Sequence, residues 1–186
     1  MRADGPAMKQ SPIDPVLLRR ALGAFVTGVT VLTTRTAAGD PVGITVNSFN
    51  TVSLSPPLVL WSLSLRAASF TAFVQATHFV VNVLGADQIS LSERFATTGG
   101  DKFSGVAWRR TLADMPLLEG TAASFTCRNA HQFPGGDHLI FVGEVVAFEQ
   151  GTCTPLVYAG GRYTSLNDSP DAGQSGAKSR KIIGSR

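Results

Sequence analysis

Two cysteines, Cys127 and Cys153, make up the whole thiol complement of this 186-residue chain. They are too few for a disulfide scaffold and too far apart for a CxxC redox or zinc motif, so both are read as reduced. Long hydrophobic runs are missing too. The apolar residues come in short stretches, such as Val29 to Leu32 and Leu58 to Trp61, broken by Thr, Ser, Asn or Gly well before a bilayer-spanning length. No membrane helix is expected. Residues 1–13 carry Arg2, Asp4, Pro6 and Lys9 where a secretory signal would be apolar, which makes a cytoplasmic location the expectation. Charge of one sign is also scarce. The formal excess is +3, and Lys178, Arg180, Lys181 and Arg186, set against Asp168 and Asp171, place most of it in the last residues. The remainder is close to neutral and has no cluster of cations to grip a phosphate backbone, so no nucleic-acid partner is expected.

Several catalytic signatures are absent. Without GxGxxG, a dinucleotide cannot be held across a glycine-rich strand-to-helix turn in the usual way. The GxxxxGK[ST] loop of nucleotide hydrolases and the GxSxG turn of serine hydrolases are missing as well. His78, His131 and His138 are scattered, with neither HExxH nor cysteine-rich spacing, so no metal site is expected.

What remains is material for one β-rich domain, since 44% of the residues are hydrophobic. Asp14 and Pro15 read as a helix cap and first turn, and the helix runs over Val16 to Leu22 before Gly23. From Phe25 the composition turns β-branched, with a strand over Val26 to Thr34. A turn at Ala38 to Pro41 leads to a second strand run, Val42 to Ser53, and Pro56-Pro57 precedes a third, Leu58 to Ser64. These three suggest a meander. Ala68 to Ala76 has helical spacing, His78 to Leu84 returns to strand, and Asp87 to Phe95 reads as a second exposed helix. Further strands are expected at 122–128, 139–148 and 156–159, with a turn around Pro134, Gly135 and Gly136. Six or more strands with few helices point to a mainly β, antiparallel barrel; the βαβ alternation of a doubly wound sheet is missing. Residues 1–13 and 167–186, the latter a basic tail, are expected to be flexible, leaving 14–166 as the folded domain.

Gly23 to Thr34, with the run Ala24-Phe25-Val26-Thr27-Gly28-Val29, resembles the opening strand of the flavin reductase family, the small components of two-component monooxygenases. Asn47-Ser48-Phe49, Val52-Ser53-Leu54 and Pro56-Pro57-Leu58-Val59-Leu60 resemble its central signature in order and spacing. Phe79 to Leu84, Gln88, Arg94-Phe95 and Phe103 to Val106 continue the likeness. Gly136-Asp137-His138, Phe141-Val142-Gly143, Pro155 to Tyr158 and Gly161-Arg162-Tyr163 complete it. Two positions depart from the pattern: Ser55 stands where aspartate is common, and Trp61 where an aliphatic residue is.

The resemblance implies the FMN-binding split barrel, a Greek-key homodimer with flavin near the interface. It implies an NADH- or NADPH-dependent enzyme that reduces FMN or FAD for a partner monooxygenase. The alternative on the same fold is a flavoprotein that keeps FMN as an electron carrier and uses NAD(P)H inefficiently. Hydride transfer between two bound rings needs no general base, only stacking, exclusion of water and donors at the flavin edge.

The resemblance places Asn47, Ser48 and Phe49 along the flavin; read alone, they are a strand bulge and a core aromatic. Thr30 and Val31 are flavin candidates that any barrel strand could also show. Ser62, Ser64, Arg66 and Ser69 are candidates for the flavin phosphate, or else a solvated loop and a helix cap. Arg94 and Phe95 resemble a pair at the phosphate or adenine end. His138 resembles the residue where nicotinamide meets flavin, and Tyr163, with Arg162, is placed over the same pocket.

Overall fold

The structure, a computed structural model, describes residues 13–164 and Leu166. The expected basic tail, 167–186, and residues 1–12 of the N-terminal stretch lie outside them. Helix α1, Pro15–Leu22, begins where the sequence places it: Asp14 Oδ1 accepts from the amides of Val16 (2.8 Å) and Leu17 (3.3 Å), with Pro15 in the first turn. It buries no residue.

The strands are β1 Thr27–Gly28, β2 Thr30–Arg35, β3 Pro41–Val46, β4 Asn50–Leu54, β5 Pro57–Ser64, β6 His78–Val83, β7 Trp108–Arg110, β8 Pro116–Leu118, β9 Ala123–Gly135, β10 His138–Gln150, β11 Val157–Ala159 and β12 Arg162–Thr164. Helix α2, Phe70–Gln75, follows β5, and α3, Ile89–Ala96, follows β6. Seven strands form one antiparallel sheet in the order β3-β2-β6-β9-β10-β5-β4. A three-stranded sheet, β1-β11-β12, and the hairpin β7-β8 lie outside it.

The order itself forces the sheet to curl. Its edge strands β3 and β4 are consecutive in the chain, joined only by Asn47, Ser48 and Phe49. Laid flat, seven strands spaced ~4.8 Å apart would put those edges about 29 Å apart. The link spans at most about 14 Å. The end of β3 must therefore lie close to the start of β4, which curls the sheet until β3 comes up against β5 and makes a barrel, and β6 returning beside β2 instead of β5 gives the crossed connection of a Greek key.

The expected three-strand meander is corrected here. The run Val42 to Ser53 is two strands on opposite edges, and β5 pairs with β4 and β10, never with β2 or β3. Asn47 and Ser48 are the crossing between edges and not a bulge within one strand. The expected second exposed helix is α3, exposed along Ile89, Ser90, Glu93, Arg94 and Ala96 and burying only Ser92 and Phe95.

The barrel interior is filled by Leu32, Val59, Trp61, Leu63, Phe73, Phe79 and Phe141 among others. Trp61 stacks on Phe141 with centroids 4.4 Å apart and meets Phe73 and Phe79 edge-on, so the aromatic at this position is a core residue. Residues alternating with these on β2 face outward into a second core of Val29, Val31, Leu84, Phe95, Phe103, Leu118 and Leu156. β2 is consequently buried on both faces, which explains its unbroken apolar and threonine composition.

Candidate active site

The barrel closes unevenly along the seam between β3 and β5. At one end the Ser48 hydroxyl donates to the carbonyl of Ser62 and accepts from its amide, both at 3.0 Å, so one side chain stands in for a rung of the sheet. Toward Pro41 the seam opens into a groove of about 1000 Å³. Its floor is β3 from Pro41 to Ile44. One wall is the β5–α2 connection with Arg66 and Ser69, and the other is the loop from Ala96 to Ser104.

A second set of side chains adjoins the first wall. His138, opening β10, pairs across the sheet with Ser64, Ile140 pairs with Ser62, and the Leu65 amide donates to the Asp137 carbonyl at 3.0 Å. Since Trp61 and Leu63 point into the barrel, Ser62, Ser64, His138 and Ile140 share the outer face. Gly136, at φ 71°, makes the turn that brings Asp137 and His138 there. His138 Nδ1 lies 2.7 Å from Asp137 Oδ1, which orients the ring with Nδ1–H donating and Nε2 free. The His138 side chain is 43% exposed. The bond from His138, and then the charges of His138 and Arg66, hold the Asp137 carboxyl below its ordinary value.

The structure therefore gathers Asn47, Ser48, Ser62, Ser64, Arg66, Ser69 and His138 along one seam and its rim. It does not bring the other candidates to that rim. Phe49 packs against the barrel core and stacks on Phe125 at 5.9 Å. Val31 and Phe95 are fully buried in the second core, with their side chains packed away from the groove surface. Thr30 is buried as well, its hydroxyl donating to the Val46 carbonyl. Tyr163 is tied to α3, its hydroxyl 2.9 Å from Ser92 Oγ. Arg94 is exposed and donates to the Ser104 carbonyl at 2.6 Å, bracing the loop that forms the far wall.

Two residues that sequence reasoning passed over hold key positions, Asn82 in the core and Lys102 in the groove. Asn82, fully buried, donates to Val31 O and Thr33 Oγ1 and accepts from the Leu118 amide, pinning β6 to β2 and β8. Its place inside the Val-Asn-Val run was the available signal, because a strand-centre Asn is buried only when all its groups are met. Lys102 lines the groove and donates to the carbonyls of Phe95 (2.9 Å) and Gly43 (3.4 Å). Partial burial lowers its pKa.

These residues fit a flavin nucleotide. Such a ligand needs a concave surface for its ring, hydrogen-bonding groups at its polar edge and a cation for its phosphate. The groove supplies the surface. Ser69 Oγ is buried without a partner, so a hydrogen bond remains to be made there, and Arg66 forms no ion pair among the described residues.

Comparison with known proteins places the chain in a family. The chain is 48% identical over 145 residues to the FMN reductase (NADH) SmoA of Agrobacterium fabrum, covering 78% of this chain and 82% of that one. It is 40% identical over 161 residues to the reductase component of 4-nitrophenol 4-monooxygenase/4-nitrocatechol 2-monooxygenase from Rhodococcus opacus, covering 84% and 85%. Among solved structures, the NADH:FAD oxidoreductase SgcE6 of Streptomyces globisporus, in complex with NAD and FAD fragments, superposes with a TM-score of 0.81 at 38% identity, over 89% of this chain and 99% of that one. The family model described as flavin reductase like domain matches residues 22–167, and the chain belongs to that family.

Proposed function

We propose that this chain is an NADH-dependent flavin reductase that transfers hydride to FMN or FAD and releases the reduced flavin to a separate monooxygenase component. The observation that carries this reading is the meeting of two features at the end of β5. Arg66, which forms no ion pair among the described residues, and the unmet Ser69 hydroxyl line a nucleotide-sized groove, and two residues before Arg66 Ser64 pairs across the sheet with the oriented His138. Both kinds of relative, the FMN reductase and the monooxygenase reductase component, support it.

The flavin and nicotinamide rings supply the hydride chemistry themselves. The protein's part is placement. Arg66, with Ser69, holds the flavin phosphate by charge-assisted hydrogen bonds. Asn47 and the backbone of the Ser48 crossing face the flavin edge, where donors stabilise developing negative charge. His138, its Nδ1 fixed by Asp137, presents Nε2 to the nicotinamide and excludes water from the stack.

Residues 14–166 act as one unit, as a homodimer in the cytoplasm. Leu54 is 93% and Phe148 71% exposed, and with Val52, Phe133 and Val146 they give the β4–β5–β10–β9 side an apolar surface suited to a second copy. The test is direct. Purified protein should oxidise NADH continuously only when free FMN or FAD is added, and sedimentation should give twice the chain mass. NADH oxidation that ignores added flavin would overturn the reductase assignment, and a fully active monomer would overturn the dimer.

A further inference from the structure

Lys102 has a surrounding that the reaction outlined above does not use. Its ammonium reaches the C-terminal turn of α3 through Phe95 O and the free edge of β3 through Gly43 O, which accounts for two of its three protons. The helix end favours a cation there. No carboxylate pairs with it among the described residues. Asp101, its neighbour and also on the groove wall, directs Oδ1 back to the amides of Phe103 and Ser104. Asp40, exposed, stands on the β2–β3 side. Arg66 belongs to the opposite wall. The groove thus carries a cation on each side, and one of them is held part-buried without a counter-ion, an arrangement that is unfavourable until an anion arrives.

A single phosphate needs only the Arg66 wall. We propose that Arg66 and Lys102 clamp the pyrophosphate of a dinucleotide, with Lys102 the residue that makes this site discriminate a dinucleotide from a mononucleotide. Resting on the reading of the groove as the flavin site, this deepens it. The volume of about 1000 Å³ is at the upper end of the ~300–1,000 Å³ typical of small-molecule sites, which leaves room for an adenylate half. The loop that carries Lys102 turns at Gly99 (φ 80°) and Gly100 (φ 74°), where a side chain would meet no atom within 4 Å, so that wall stays open to a second nucleotide.

The same pyrophosphate occurs in FAD and in NADH, and two measurements separate them. Riboflavin, FMN and FAD are titrated into full-length wild type, Lys102→Gln and Lys102→Arg by flavin fluorescence, with melting curves alongside. NADH KM is measured with FMN as acceptor. If FAD is the dinucleotide, Lys102→Gln weakens FAD about tenfold or more, leaves FMN and riboflavin within about twofold, and Lys102→Arg restores most of the loss. If NADH is the dinucleotide, its KM rises to a similar degree while all three flavins bind as before. Unchanged FAD affinity and NADH KM in Lys102→Gln overturn the proposal. Equal weakening of riboflavin, FMN and FAD also overturns it, since Lys102 would then only brace the loop. Wild type that binds no flavin at all fails the underlying assignment instead.

Discussion

Asp137 and His138 hold each other in a definite state at the exposed tip of a long hairpin, and each reports on the other. The His138 bond, the largest influence on Asp137, keeps its carboxyl ionised to lower pH than usual. In His138→Ala the Asp137 carboxyl should titrate back toward its ordinary value of 3.8, followed by carboxyl NMR. Because the folded value is depressed, whatever stability this bond adds is present at neutral pH and is lost as pH falls through the carboxylate range. In the same variant kcat/KM for NADH should fall about tenfold with flavin affinity intact, the pattern of a lost positioning contact. Unchanged NADH kinetics in a folded variant would move the nicotinamide site elsewhere. Ser48 behaves differently, because its hydroxyl is committed to both backbone groups of Ser62. Ser48→Ala should lower stability by about 1–2 kcal/mol, read as a drop in Tm, as the seam loses its rung. A Tm equal to wild type would mean that the crossing closes without it.

At the level of elements, α3 and the groove share a wall through one glycine. A Cβ on Gly43 would sit 2.5 Å from Phe95 Cε1, so the helix lies on β3 only because that residue has no side chain. Gly43→Ala should cost about 1–3 kcal/mol by overpacking and also weaken flavin binding, since α3 and the Lys102 loop must shift. Gly143→Ala makes a comparable clash, 2.5 Å from Phe79 Cζ inside the barrel. It should lower Tm yet leave flavin affinity close to wild type, and equal binding losses in both would refute the distinction. Strands and helices with strong local signals were legible in the sequence: the Asp14-Pro15 cap, the β-branched β2 and the helical spacing of α2. The break at Asn47 was not, because the residues on both sides have strand composition and only the edge-to-edge crossing separates them. The short β7, β8 and β12 carry too few residues for any periodicity to show. For the candidate site, ordered motifs singled out residues that the fold places near one another, Ser48 beside Ser62 and Ser64 beside His138. The inward direction of the Phe49, Val31 and Phe95 side chains was not legible, because a motif marks a neighbourhood and does not say which way a side chain points. Lys102 carried no signal until α3 and β3 were folded together.

Across the whole molecule, the two thiols differ by burial. Desolvation pushes the Cys127 thiol up to about 12, whereas Cys153 is only part-buried. A thiol reagent at neutral pH should label Cys153 first and Cys127 only after denaturant unfolds the barrel, counted by mass spectrometry. Equal native labelling of both would mean that the barrel opens readily. The seam gives the assembled protein one further property. A barrel fastened at Ser48 and splayed at the groove is a clasp with one pin, and any ligand that spans the two walls acts as a second pin. Occupancy and fold integrity are then thermodynamically linked, so saturating flavin should raise Tm by an amount set by its concentration over its Kd. Once reduced flavin departs, the same clasp slackens, so a loose seam also makes release easy, which suits a reductase whose product must leave for another protein.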